Sequence, residues 1–423
     1  MKRIIAVFIA AFVLATALPA ASVQAADATQ KEILIGSILP LTGAFAQTGQ
    51  LLRVGEELAR DLINAHTPYP VTMAGSDGIP ALGHAKIRII FADSQGKPDQ
   101  AATVAEQLIT QDHVVAVLGC YTSATTQTAS LRAEQYKIPF LNPDSSNPQL
   151  TERGLHWFFR ISPHDGTFTE NMFQFMKELA KAKGWNPKRI ALVHEDTLFG
   201  KGFGDVTEEI AKREGYTLAA RVTYPANTSE VQSEVQKVKA ANPDVIFQAS
   251  YLSDSVLFMK TYKQQGINVP IIAQDAGFVE PGFIAALGKD ANDIFTRDTY
   301  ALNIKQRNQG VPLINELYKQ RSGGKNLDGN VARDFTAVTV IADAINRAKS
   351  TDPEKIRAAL AATNIDGKRT IMPWRGIKFN DHGQNIEGAG LILQIQDGQY
   401  QTVWPSFVAS KPPIFPIPNW GSR

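Results

Sequence analysis

Short apolar runs rich in β-branched residues alternate along this chain with longer stretches whose apolar positions recur at helical spacing. Ile33–Leu39 reads as a buried strand, and residues 51–65 follow it with Leu51, Leu58 and Leu62 on one helical face. Residues 86–92, 114–118 and 139–142 read as further strands, with helices over 99–110 and 123–137 between them. A second series then begins: helix 167–183, strand 189–194, helix 201–214, strand 218–224, and the same alternation through 230–241, 244–248, 252–265 and 270–273. Strands alternating with helices predict parallel sheets covered on both faces, and two such series predict an α/β fold of two doubly wound lobes. Beyond 294–301 the pattern gives helices over 312–321, 331–349 and 353–362. Antiparallel-type strands follow over 377–404, around turns at Asp381–Gly383 and Asp397–Gly398. The Gly/Pro-rich stretch 67–84 reads as a surface excursion, and the proline-rich tail 411–423 as an extended segment.

The first residues change the picture from a globular chain to an exported one. Lys2 and Arg3 precede an apolar run over 4–18, and Val23-Gln24-Ala25 has the small-residue form of a cleavage site. The run falls short of the ~20 residues a membrane span needs, so residues 1–25 are expected to be a cleaved signal peptide, with a retained anchor as the alternative. The expected destination is the periplasm. Cys120 is the only cysteine, which excludes an intrachain disulfide and an N-terminal lipid-bearing cysteine. The chain carries 43 basic and 41 acidic residues, and loss of Lys2 and Arg3 with the signal leaves it near neutral. Such a balance argues against nucleic acid as a partner.

Among motifs, the strand ending at Leu118 runs through Gly119-Cys120-Tyr121-Thr122-Ser123 into a helix. The first backbone N–H groups of a helix lack intrahelical partners and its dipole favours an anion there. With a hydroxyl from Thr122 or Ser123, this helix start can cradle a carboxylate without any cation, or it is an ordinary N-cap. Enzyme signatures are missing. His194-Glu195-Asp196 lacks the second histidine of a zinc-protease helix, and neither a G-x-S-x-G elbow nor a phosphate-binding P-loop occurs. Gly200, Gly202 and Gly204 follow a strand but lack the spacing of a dinucleotide fingerprint. No catalytic residue, cofactor or metal site is expected, and Cys120 reads as a small packed residue.

The run Ile33-Leu34-Ile35-Gly36-Ser37-Ile38-Leu39-Pro40-Leu41-Thr42-Gly43 is similar to the opening of type I periplasmic binding proteins of the leucine/isoleucine/valine-binding kind. Gly119–Thr126, Asn142–Pro148, His194–Gly200, Asn242–Ile246 and Gly376–Asn380 resemble the same family, in its order. The resemblance implies two Rossmann-like lobes joined by a three-strand hinge, with the ligand in the cleft between them. Lobe 1 would comprise residues 27–162 plus 299–367, and lobe 2 residues 163–298 plus 368–423. It further implies a monomer that takes a small-molecule ligand, an amino acid of the branched-chain type or a related aromatic or short aliphatic carboxylate. The protein would present that ligand to the permease subunits of an ABC importer in the inner membrane. A ligand-sensing module on the same fold, or an exported α/β enzyme, are the alternative classes.

Residue by residue, the helix start of Ser123, Ala124 and Thr125 matches the ligand-contacting turn, Ser123 being the hydroxyl that holds a carboxylate. The loop Asp144-Ser145-Ser146 matches the segment that offers a carbonyl and a hydroxyl. Asp144 departs from the family, where small uncharged residues are usual; an acid there repels a carboxylate unless it points away or meets an ammonium. Phe199 stands where the family often has a ligand-covering Tyr. Tyr251 matches a contacting aromatic. Asp275, at a strand's carboxyl end, matches the acid that pairs with a ligand ammonium.

Overall fold

The computed structural model describes residues 32–304 and 310–423. The proposed signal, residues 1–25, and the start of the first lobe at residue 27 lie outside the described residues.

The first lobe is built on β1 (Ile33–Leu39), α1 (Ala46–Asn64), β2 (Ile87–Asp93), α2 (Pro98–Thr110), β3 (Ala116–Gly119), α3 (Ser123–Tyr136), β4 (Phe140–Asn142) and β5 (Phe158–Arg160). Its five strands are parallel, in the order β2-β1-β3-β4-β5. The second lobe carries α4 (Asp165–Lys183), β6 (Arg189–Glu195), α5 (Leu198–Arg213), β7 (Thr217–Tyr224), α6 (Gln232–Ala241), β8 (Val245–Ala249), α7 (Leu252–Gln264), β9 (Ile271–Gln274), α8 (Pro281–Leu287) and β10 (Phe295–Asp298). The chain continues through α9 (Gly310–Arg321), α10 (Gly329–Ala348), α11 (Pro353–Ala361), β11 (Asn364–Asp366), β12 (Gly376–Lys378), β13 (Leu391–Gln396) and β14 (Gln399–Trp404). The second sheet runs β14-β13-β10-β9-β8-β6-β7, with β13 and β14 antiparallel at one edge.

The predicted strand–helix alternation is therefore the observed one, with differences at its edges. β5 escapes a pattern search because it is three residues long and ends in the buried Arg160. α1 starts at Ala46, ahead of the expected residue 51, because its first turn is polar. Gly55 sits in the middle of α1 for a packing reason: a Cβ there would stand 2.5 Å from Val331 Cγ1 of α10. α10 is buried on nearly every face and packs on α1, returning the chain to the first lobe after β10.

The stretch 67–84 is more than a surface excursion. Val71 and Ile79 are buried, and Thr72 donates to Arg369 O from both its backbone N–H (2.7 Å) and its hydroxyl (2.9 Å). The tail is likewise docked. Trp420 is buried, its Nε1 donates to Ile267 O at 2.7 Å, and the Arg423 guanidinium lies 3.7 Å over its ring. Asp397 (φ 52°) and Gly398 (φ 70°) form the tight β13–β14 turn that Asp-Gly predicts.

Both sheets reverse strand order beside their first strand, at β1/β3 and at β6/β8. The loops leaving the carboxyl ends of β3, β4, β6, β8 and β9 converge on one cleft between the lobes. That is where an open α/β sheet holds a ligand.

Candidate functional site

The cleft holds a pocket with an empty volume of ≈ 290 Å³, lined by Ser123, Asp144, Ser145, Ser146, Phe199, Tyr251 and Asp275. Tyr121, Ala276, Arg297, Asn330 and Arg333 complete the lining.

Ala124 and Thr125 are not brought into the pocket. Thr122 is the N-cap of α3: its Oγ1 accepts from Thr125 N at 3.3 Å, and Thr125 Oγ1 donates back to Thr122 O at 2.9 Å. The two threonines satisfy each other, which answers the question of the cap and leaves Ser123 at the first helical position facing the pocket. Among the described residues, Ser123 Oγ has only a long contact from Asn147 N, at 3.4 Å.

The neighbouring loop is fixed from behind. Ser145 Oγ lies 2.6 Å from Thr126 Oγ1, so this serine ties the loops after β3 and β4 together although it borders the pocket. Arg160, fully buried, donates to Ser145 O (3.1 Å) and Asn147 O (2.7 Å). Ser146 O accepts from Asp165 N at 2.8 Å.

The aromatic wall crosses the cleft. Phe45 and Tyr121 from the first lobe meet Tyr251 from the second at centroid separations of 4.6 and 5.6 Å, and Phe199 stands 5.4 Å from Tyr251. Glu280 crosses it too: its Oε2 accepts from Thr48 at 2.8 Å and its Oε1 from Tyr121 at 3.2 Å. The lobes are closed on one another.

The charged part of the pocket was not legible in the motifs. Arg333, in the second turn of α10, donates from Nε to Asp144 Oδ1 at 2.7 Å and from Nη1 to Thr299 Oγ1 at 2.7 Å and Asp275 Oδ2 at 3.2 Å. Its Nη2 donates to Asn330 Oδ1. Arg297, at the end of β10, pairs with Asp275 Oδ2, donates to Gln274 Oε1 at 3.0 Å, and lies 3.4 Å from the Phe168 ring centroid. Burial would lower the Arg333 pKa, but Asp275, Asp144 and Asp298 reverse this and hold it above its usual value. Burial pulls Arg297 down to about 10, still charged at neutral pH. For Asp144, burial pushes the carboxyl up against the opposing pull of Arg333.

Asp144 and Asp275 are thus drawn inward onto guanidiniums. The repulsion expected from Asp144 toward a bound carboxylate is cancelled by Arg333, and Asp275 is not a free acid awaiting an ammonium. Asp275 (φ 42°) and Ala276 (φ 50°) both hold left-handed backbone, uncommon for residues with a side chain and concentrated at ligand sites. Asn330 Nδ2 is buried with no acceptor among the described residues, leaving a donor at the pocket wall. The pocket can therefore hold a small ligand bearing a carboxylate. Hydroxyl and amide donors sit on one side, an aromatic wall on the other, and two Asp–Arg ion pairs balance the charge.

A family model described as periplasmic binding protein matches residues 32–399. The Leu/Ile/Val-binding protein homolog 7 of Brucella suis is 29% identical over 417 residues, covering 96% of this chain and 98% of its own. The fold is shared with the branched-chain amino acid transporter substrate binding protein LivJ of Streptococcus pneumoniae, solved in complex with isoleucine. That likeness has a TM-score of 0.74 at 21% identity, over 89% of this chain and 100% of that one. It is shared too with an ABC-transporter solute binding protein of R. palustris in complex with 4-hydroxybenzoate, with a TM-score of 0.71 at 18% identity, over 88% of this chain and 95% of that one. Two α/β lobes, a pocket between their strand ends and a family match over most of the length agree: this chain belongs to the periplasmic binding protein family, whose members bind solutes and are not enzymes.

Proposed function

We propose that this protein captures a small carboxylate ligand, an amino acid of the branched-chain type first among them, and delivers it to the permease of an ABC importer. The observation that carries this reading is the convergence, on one small pocket, of carboxylate donors and an aromatic wall drawn from both lobes. Ser123, Ser146 and Asn330 would hold the carboxylate, aided by the N-terminus of α3. Phe199, Tyr121 and Tyr251 would cover an aliphatic side chain. The Leu/Ile/Val-binding relative supports the ligand class. In this reading the signal 1–25 is removed and the periplasmic protein acts as a monomer. Its chain crosses between lobes near Pro163 and Thr299 and a third time beyond Gly367. The hydrogen bonds from Thr72 to Arg369 O support extending lobe 1 past residue 367.

Ser123→Ala is expected to weaken ligand binding by about 1.5–3 kcal/mol, the usual value of a hydrogen bond to a charged group, with the fold retained. Calorimetry with the ligand found by thermal-shift screening measures this, since a ligand of the native state raises apparent stability. Unchanged affinity would refute the assignment of Ser123.

A second reading is a plain carboxylate, aromatic or short aliphatic. It is favoured by the ion pairs of Asp144 and Asp275, which leave no pocket carboxylate without a cation. Asp275→Asn separates the two. An amino acid should bind at least about tenfold more weakly to it, having lost an anion near its ammonium. A plain carboxylate should bind as well or better, because Arg297 is released from its partner.

A further inference from the structure

A second cavity lies next to the pocket. Arg333, which lines the first, is 3.8 Å from Asp298, which lines the second. Its empty volume is ≈ 1210 Å³, several times that of the pocket. Much of its lining is apolar, with Val279 just before α8, Pro281 and Ile284 within it, Leu327 before α10, and Leu393 of β13. Tyr400 adds a ring, while its hydroxyl is already engaged, donating to Phe278 O at 2.8 Å and Glu280 O at 3.2 Å.

The polar part of this lining includes two acids, Asp298 and Asp328, beside Lys325, Asn303, Asn326 and Gln399. Asp298 is 2% exposed; its Oδ1 accepts from Thr299 N at 2.5 Å, whereas Oδ2 meets no hydrogen-bond donor among the described residues. Asp328 caps α10 through Oδ1, which accepts from Val331 N at 2.9 Å. Asp298 can approach the start of α10 because residue 329 is glycine: a Cβ there would stand 1.7 Å from Asp298 Oδ1. Among the described residues, the nearby guanidiniums are shared between several acids, Asp298 itself lying 3.8 Å from Arg333. Arg333 answers Asp144 and Asp275, and Arg297 answers Asp275, so two guanidiniums face three carboxylates before Asp328 is counted. Lys325 also lines the cavity, but it is half-exposed and forms no ion pair among the described residues. Burial pushes the Asp298 carboxyl up to about 8 against the pull of Arg333 and Arg297, and that of Asp328 up to about 7 against Arg333.

A large cavity with apolar walls and an acid whose Oδ2 meets no donor among the described residues calls for a ligand that is apolar along its body and cationic at one end. We propose that this cavity is a second ligand site, for an amphiphilic primary amine whose ammonium meets Asp298 and whose body lies against Ile284, Leu327 and Leu393. The site stands apart from the carboxylate pocket and does not depend on that pocket's ligand.

The test uses 2-phenylethylamine as probe against the full protein in titration calorimetry, with 2-phenylethanol as its neutral counterpart. The amine is expected to bind with one-to-one stoichiometry and the alcohol at least about tenfold more weakly, as the loss of a charged contact implies. Asp298→Asn should weaken amine binding by a similar factor. Ile284→Trp, which fills the cavity from a partly exposed position, should abolish it while leaving the thermal melt in place; this arm holds even if Asp298→Asn folds poorly. Phe199→Ala, in the first pocket, should change amine binding less than twofold. No binding of the amine at millimolar concentration overturns the proposal. So does binding that survives Ile284→Trp, or binding lost in Phe199→Ala.

Discussion

Replacing Arg333 by leucine is expected to lower folding stability by about 3–5 kcal/mol, the range found when one partner of a buried ion pair is removed. The leucine fills much of the same volume, so the loss is electrostatic. Asp144 Oδ1 and Asp275 Oδ2 each lose a donor, Asp298 loses the guanidinium 3.8 Å away, and all three lie almost wholly out of water. Arg333→Lys should recover only part of the loss. An ammonium cannot reproduce the fork that reaches Asp144, Asp275, Thr299 and Asn330 together. Urea denaturation of the variants measures this. The double variant with Asp275→Asn should lose less than the sum of the single changes, because the two groups share one network. A leucine variant as stable as the wild type would mean that these carboxyls are protonated rather than held by Arg333.

The same arginine marks where sequence reading stops. Strand–helix alternation was legible because strands such as Ile33–Leu39 and Val245–Ala249 are buried along their length, and the helices between them carry one apolar face. The loops after β3, β4, β6, β8 and β9 could be named as ligand-facing because strand ends in an open sheet must converge. Ser123, Asp144, Ser145, Ser146, Phe199, Tyr251 and Asp275, all of which line the pocket, were reached that way, with the family resemblance. Arg333 and Asp334 sit in a helix and belong to no motif. Arg333 is held inside by a partner 189 residues away in sequence, which no local pattern contains. Arg297 hides likewise at the end of a short strand. The residue-level signal was charge within apolar runs, as in Val331-Ala332-Arg333-Asp334-Phe335 and Ile294-Phe295-Thr296-Arg297. Ala124 and Thr125 failed for the opposite reason: which side chain of a helix's first turn faces the ligand depends on which residue caps it, and the cap is Thr122.

The second large effect concerns pH and the closing of the cleft. Glu280 belongs to the second lobe, and its side chain is enclosed by Thr48 and Tyr121 of the first, so opening the lobes returns it to water. Burial in the closed cleft pushes its carboxyl from 4.5 up to about 8. The closed state therefore binds a proton that the open state has already released over the window from about pH 4.5 to about 8. The sign follows: closure is favoured at the acidic end of that window and opposed as pH rises through it, by about 3 kcal/mol at pH 7, to order of magnitude. Ligand affinity, which depends on closure, should fall across the same window and level off above it. Glu280→Gln cannot lose a proton and keeps an oxygen to accept from one of the two hydroxyls. It should bind ligand at least about tenfold more tightly than wild type at pH 8, match it near pH 5, and have a nearly flat profile between. Calorimetry across pH measures the profile, and small-angle scattering of the free protein reads the matching shift toward the closed form. Acids buried within one lobe, such as Glu56 against Ser37 and Asp334, keep their surroundings when the cleft opens. They affect global stability and leave this difference alone. An affinity that falls as steeply in Glu280→Gln as in wild type would assign the closure-linked proton to another group.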